Sequence, residues 1–229
     1  MTSALAIILC GAVAGTPFGE GFTDQAKWID AAGFSPVTLD FVTEGGLYEA
    51  VNEQYLPLAV RFMDWNDAQG FSSSCDDGGG CRGWFSLSEP PLSIRLRFSA
   101  PITALAIRVN GSPNFVLYSE ETNEEIGVQV VSLPVIDGWN SFAGIIADEP
   151  FQEIVYISGV AGNGQINDLY IPPGLPPIKP ADLNCDGTVD AEDLGEILAA
   201  YFTRGPGDLD GNLFVDGSDV ALLIAEWLK

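Results

Sequence analysis

The sequence predicts a mainly β protein: an antiparallel, jelly-roll-like β-sandwich followed by a small α-helical domain. Three observations predict it. Between residues 35 and 171, apolar and polar residues alternate in short runs separated by turn clusters, which is the period of half-buried strands. A proline-dense stretch, Ile171-Pro-Pro-Gly-Leu-Pro-Pro-Ile-Lys-Pro180, then breaks the pattern. Beyond it two Asp-rich loops stand 26 residues apart, from Asp182 to Asp208, and each opens an apolar stripe of helical spacing.

At 229 residues the chain has room for a domain of ordinary size plus an appendage. Its residues are 47% apolar and 18% charged, with 26 Gly and 15 Pro, the make-up of a well-buried globular protein rich in turns. Nine Lys and Arg stand against 32 Asp and Glu, a formal charge of -23. Such a chain repels polyanions, which excludes nucleic acid as a partner and makes cations the natural counterpart. There is no histidine. The usual general base, the Ser-His and Cys-His nucleophile pairs and the commonest transition-metal ligand are therefore missing, and the sequence predicts a protein that is not an enzyme. Glu120, Glu121, Glu124 and Glu125 cluster in a predicted hairpin tip and read as a solvated turn rather than a catalytic pair.

Residues 1–14 form an apolar run too short to cross a bilayer, ending in Ala12-Val13-Ala14, the pattern of a signal-peptide cleavage site. No Lys or Arg precedes the run, so a second reading stands beside the first: residues 3–14 stay on the mature chain as a β-strand. No later stretch is long and apolar enough for a membrane span. The expectation is a secreted protein, extracellular or held at a cell surface.

Residues 23–33 read as a short helix, with Thr23 as N-cap, Gly33 as the C′ glycine, and Trp28, Ile29 and Ala32 on one face. Val37, Leu39 and Phe41 then alternate with polar neighbours; so do Leu58, Val60 and Phe62, and Ile94, Leu96 and Phe98. Further strands are predicted over 105–109, 115–118, 126–131, 142–146, 154–157 and 169–171. About nine short strands at this spacing make a sandwich, bounded by residues 23–171. Trp28, Trp65, Trp84 and Trp139 are expected in its core.

The order of these features carries a resemblance. An early helix over 25–33, the strand Val37-Thr-Leu-Asp-Phe41, the strand pair within Phe98-Ser-Ala-Pro-Ile-Thr-Ala-Leu105 and the closing Ile166-Asn-Asp-Leu-Tyr-Ile171 resemble a family of jelly-roll domains in secreted bacterial proteins, often sorted to the envelope. The resemblance implies a sandwich shaped like a carbohydrate-binding module, on an exported bacterial protein. It implies no particular ligand.

Cys75-Asp-Asp-Gly-Gly-Gly-Cys81 places two cysteines around a Gly-rich excursion, short enough for a disulfide between Cys75 and Cys81 if the ends pair as a hairpin. The rival is a metal site from Asp76, Asp77 and the thiols, but no histidine and no second cysteine pair can complete a zinc tetrahedron. Cys185 is then left as a lone thiol or an intermolecular link.

The connector, residues 172–180, is expected to be stiff and extended, marking the start of a second domain over 181–229. In that domain Asp182, Asn184, Asp186, Asp190 and Asp193 place oxygen donors at loop positions 1, 3, 5, 9 and 12, with the Thr188 carbonyl at 7 and Gly187 at the sharp turn of position 6. Asp208, Asp210, Asn212, Phe214, Asp216 and Asp219 repeat the register. A hard cation takes six to eight oxygens, and this spacing supplies them from one short loop, so each loop is expected to bind Ca2+. Leu213 occupies the position of Gly187, and a branched side chain at positive φ costs about 1–2 kcal/mol, so the second site is expected to be weaker. The helical stripes, Leu194, Ile197, Leu198 and Tyr201, then Val220, Leu223, Ile224 and Trp227, are expected to form the domain's shared core.

This tandem of loop and helix, with Asp rather than Glu at position 12 and no full helix before the first loop, resembles the dockerin family. By position, the resemblance implies as calcium ligands Asp182, Asn184, Asp186, Thr188, Asp190 and Asp193, then Asp208, Asp210, Asn212, Phe214, Asp216 and Asp219. It also implies a cohesin-type partner, recognised through loop positions 10 and 11. Here those pairs are Ala191-Glu192 and Gly217-Ser218, unlike each other, a departure that speaks against that partner.

The function that results is a secreted, non-enzymatic, calcium-binding protein whose sandwich serves adhesion by binding a glycan or another extracellular protein. The alternative is a structural subunit of an extracellular fibre. In it, copies of the chain form a filament by donating residues 3–14 as a strand to the next subunit's sandwich.

Overall fold

The computed structural model describes residues 18–40, 56–62, 69–75, 81–87, 93–110, 113–118, 125–131, 141–158, 165–203, 207–212 and 214–229. The described residues form ten strands and three α-helices, mainly antiparallel β. The first elements are β1 (Glu20–Phe22), α1 (Gln25–Ala32), β2 (Val37–Asp40) and β3 (Val60–Phe62). Then come β4 (Gln69–Cys75), β5 (Cys81–Leu87), β6 (Ser93–Asn110), β7 (Pro113–Tyr118) and β8 (Glu125–Val130). The series closes with β9 (Ser141–Ser158), β10 (Gln165–Ile171), α2 (Ala191–Ala199) and α3 (Gly217–Trp227).

Hydrogen bonding links the strands in the order β2-β10-β6-β9-β7-β8, with β1 added to β9 and β3 to β6. The fold turns on β6 and β9, each 18 residues long. Their ladder pairs Arg97 with Glu153, then Ile102 with Phe151, then Ala104 with Ile146. Residues 98–101 therefore bulge opposite Gln152 alone, and residues 147–150 bulge opposite Thr103 alone. Each bulge holds a proline, Pro101 and Pro150, which a ladder tolerates where its hydrogen bonds lapse. Bent there, the two strands run through both layers of a sandwich. One layer combines β3, β7 and β8 with the first half of β6 and the second half of β9; the other combines β1, β2 and β10 with the remaining halves. A single core lies between them, drawing Val60, Leu96, Phe98, Phe115 and Ile154 from one layer and Leu39, Leu105, Ile107, Ile145 and Leu169 from the other. The sequence predicts two short strands in place of each, 94–98 with 105–109 and 142–146 with 154–157; each pair is one strand continued through a bulge.

Helix α1 covers the outer face of the second layer. Its N-cap is Asp24, whose carboxylate accepts from the Lys27 N–H at 3.1 Å, not the predicted Thr23; Gly33 ends it at φ 74 as expected. Trp28 is fully buried, donates its indole N–H to the Ile145 carbonyl at 3.0 Å and packs against Phe34, Phe142 and Tyr170. Gly144 makes room for it, since a Cβ there would lie 2.6 Å from the indole ring. Trp65 and Trp139, residues 1–17 and the Glu120–Glu124 cluster lie outside the described residues, as does the side chain of Trp84. β4 and β5 form a separate two-stranded ribbon in which Cys75 pairs with Cys81 in register.

The segment after β10 lies against the sandwich. Ile178 is buried with Leu56 and Cys185, and its N–H donates to the Leu56 carbonyl at 2.8 Å. Beyond it Ala181, Leu183, Val189, Ile197, Val215 and Leu223 form a small second core, with Leu194, Leu209 and Val220 at its edge. The predicted stripes reach this core only in part: Leu198, Ile224 and Trp227 are exposed, at 54%, 42% and 41%. Among the described residues no third element covers the remaining apolar face. Among the described residues no helix is long and apolar enough to cross a membrane.

Candidate metal centre

Loop one (182–193) and loop two (208–219) have the same internal bonding, position for position. At position 12, Asp193 is fully buried; its Oδ1 accepts from the N–H groups of Leu183 (2.6 Å) and Asn184 (3.2 Å), and its Oδ2 from Asp190 (2.8 Å). Asp219 repeats this with Leu209 (2.7 Å), Asp210 (3.1 Å) and Asp216 (2.7 Å). At position 1, Asp182 Oδ1 accepts from the Asp186 N–H (3.1 Å), and Asp208 Oδ1 from Asn212 (3.0 Å). At position 3, the side-chain oxygens of Asn184 and Asp210 accept from those same N–H groups, at 3.1 and 3.0 Å. At position 5, Asp186 and Asn212 accept from the N–H of position 7, at 2.8 and 2.9 Å. At position 9, Asp190 and Asp216 cap α2 and α3, and with Asp193 and Asp219 they complete a capping box at each helix start.

These bonds aim the donors. A carboxylate oxygen has two lone pairs; Oδ2 of Asp193 and of Asp219 each take one N–H, which fixes its direction, while Oδ1 of each takes two. In loop two, oxygens of Asp208, Asp210 and Asp219 lie within 4.8 Å of one another. Ligands at 2.3–2.6 Å from one cation sit at most about 5 Å apart, so this convergence fits a calcium-sized ion. In loop one, Asn184 takes position 3 and turns its amide N–H toward Asp186 Oδ2 (2.9 Å) and Glu192 Oε2 (3.3 Å). Both loops thus hold four aspartates and an asparagine among hard oxygen donors, a set suited to calcium and not to a thiolate-preferring metal.

The charges are mutually strained. Burial, together with the carboxylates of Asp193 and Asp186, pushes Asp182 above the usual carboxylate range despite the Gly187 N–H on its Oδ2. Burial also acts to raise Asp186, but the hydroxyl and N–H of Thr188 outweigh it and hold that group low. Cys185 lies inside loop one, yet burial pushes its thiol up to about 12, so it stays protonated and is no thiolate ligand. Leu213 lies outside the described residues; its counterpart Gly187 has φ 94.

Residues of the sandwich strands reach loop one and the chain just before it. Arg61, Arg97 and Glu153 stand side by side across β3, β6 and β9 on the face away from the core. Arg61 donates to the carbonyls of Lys179 (3.1 Å) and Pro180 (2.9 Å), and Arg97 to that of Asn184 (2.9 Å). Glu153, buried, holds Arg95 at 3.1 Å and Arg97 at 3.2 Å. Gln152, opposite the β6 bulge, donates to the carbonyls of Phe98 (2.9 Å) and Cys185 (2.8 Å). Alternation marks Arg61 and Arg97 as facing away from the core, which holds; it carries no sign that another part of the chain covers them.

No family model and no curated protein matches the chain. Among solved structures it is similar to variants of a family 29 carbohydrate-binding module made to probe ligand recognition. One is 16% identical with a TM-score of 0.39, over 62% of this chain and 94% of that one. Another structure of a family 29 module is 13% identical with a TM-score of 0.34, over 60% and 89%. The sandwich assignment rests on the ladders and core described above, and this likeness is too low to transfer a function.

Proposed function

We propose that the chain is a secreted, non-enzymatic calcium-binding protein of the bacterial extracellular space or cell surface. In this reading the sandwich (23–171) binds a glycan or protein, and the dockerin-like module (181–229) takes two Ca2+. One observation carries the calcium reading: two loops 26 residues apart bond their side chains to their own backbones in the same pattern, with carboxylates turned inward. Asp182, Asn184, Asp186, Asp190 and Asp193 would hold the first ion, with the Thr188 carbonyl; Asp208, Asp210, Asn212, Asp216 and Asp219 the second, with the Phe214 carbonyl. A bound divalent cation supplies charge neutralisation and a crosslink between loop and helix start. The Cys75–Cys81 register supports a disulfide on an exported chain.

Thermal unfolding of the full chain tests the reading. The midpoint is expected to rise with calcium and to fall in excess chelator, while equal magnesium has a smaller effect. Identical midpoints in calcium and chelator would remove calcium from the account. For the sandwich, retardation of the chain in gels containing soluble polysaccharides is the expected outcome; equal mobility in every gel would leave a protein as its ligand.

A further inference from the structure

The two loops differ most at position 4. Gly211 has φ 75, which glycine adopts freely, but Cys185 has φ 57, costly for a residue with a Cβ. What holds Cys185 there lies outside the loop: its side chain is buried with Leu56 and Ile178, and its carbonyl accepts from Gln152. The preceding carbonyl, of Asn184 at position 3, accepts from Arg97. Both donors sit at the β6 bulge: Arg97 is the last paired residue before it, and Gln152 of β9 lies opposite it. In loop two the side chains of Asp210, Asn212, Asp216 and Asp219 bond to backbone N–H groups of the loop itself and of the start of its helix.

We propose that loop one is a composite site: Gln152 and Arg97 at the β6 bulge hold the backbone of positions 3 and 4 in binding shape, linking cation binding at loop one to the stability of the sandwich. This rests on the calcium reading. Gln152 is a positioning residue and not a ligand, because its amide N–H donates to the Cys185 carbonyl. Linkage is reciprocal, so if the sandwich tightens loop one, calcium at loop one must steady β6 by the same factor.

Calorimetric titration of the full chain separates the loops. In an Asp208→Ala background, where loop one remains, adding Gln152→Met keeps the volume and removes the donor; calcium affinity is expected to fall about fivefold, the worth of one neutral hydrogen bond. In an Asp182→Ala background, the same substitution is expected to leave loop two unchanged, which a general loosening of the fold would not do. Hydrogen exchange supplies a second readout without Gln152→Met. Calcium should slow exchange across residues 93–101 in the parent and in Asp208→Ala, but not in Asp182→Ala. An unchanged loop-one affinity, an equal loss at both loops, or calcium-independent exchange in β6 overturns the composite site while calcium binding stands. A parent chain that binds no calcium overturns both.

Discussion

Loop one and loop two carry the same chemistry and differ in what surrounds them. Each has four aspartates, an asparagine and a buried Asp at position 12 that ties the loop to the start of its helix. Loop one lies against Arg97 and Gln152 of the sandwich, with Arg61 gripping the chain just before it. In loop two, oxygens of Asp208, Asp210 and Asp219 converge within 4.8 Å of one another, and α3 behind the loop leaves Ile224 and Trp227 exposed to solvent. The lesson is that a duplicated motif does not yield duplicated sites. Internal hydrogen bonds set the shape of a loop, and its neighbours add to what holds that shape.

Removing calcium should give the largest effect. Four carboxylates crowd each loop, and loop one has Arg61 and Arg97 beside it to offset them. In excess chelator, hydrogen exchange of α3 is expected to speed up by about 100-fold, with α2 and residues 182–185 affected far less. Equal loss in both helices would break the comparison.

Truncation at position 12 is next. Asp219→Ala leaves three backbone N–H groups without their anionic acceptor and is expected to cost the helical module about 4 kcal/mol in denaturant unfolding, with the sandwich transition unmoved. Asp193→Ala strips the same three bonds from loop one, where Asn184 and Cys185 meet the sandwich. It is therefore expected to lower the sandwich transition as well. Two variants that both spare the sandwich would show the loops to be equivalent after all.

What the sequence disclosed and what it hid divide along physical lines. Alternation located the strands because a half-buried strand must show its period, and Leu96, Phe98 and Ile154 are buried as that period requires. The Asp and Asn spacing marked 182–193 and 208–219 as loops because side-chain-to-backbone bonds of this kind are local, and those bonds repeat between the two. The bulges at 98–101 and 147–150 were hidden, since a gap between two alternating runs looks the same whether the chain turns or one strand continues through a bulge. Helical spacing found the apolar faces of α2 and α3 but could not say that Leu198, Ile224 and Trp227 would stay uncovered, because coverage is decided by distant parts of the chain. The junction at Arg61, Arg97 and Gln152 was hidden for the same reason: its partners lie from 33 to 119 residues away.

The smallest effect concerns position 6. Gly187 holds φ 94 in loop one, and Leu213 stands at the equivalent place in loop two. Leu213→Gly is expected to tighten calcium at loop two by about 1 kcal/mol, read by calorimetry in an Asp182→Ala background. Weaker binding would mean that loop two meets its turn without positive φ at that residue.

The measurement closest to the central claim is native mass spectrometry of the chelator-stripped full chain returned to calcium. The account predicts a mass increase of two calcium ions, of one in Asp208→Ala and of one in Asp182→Ala. A chain whose mass is unchanged in millimolar calcium, or which keeps two ions in either variant, would contradict it.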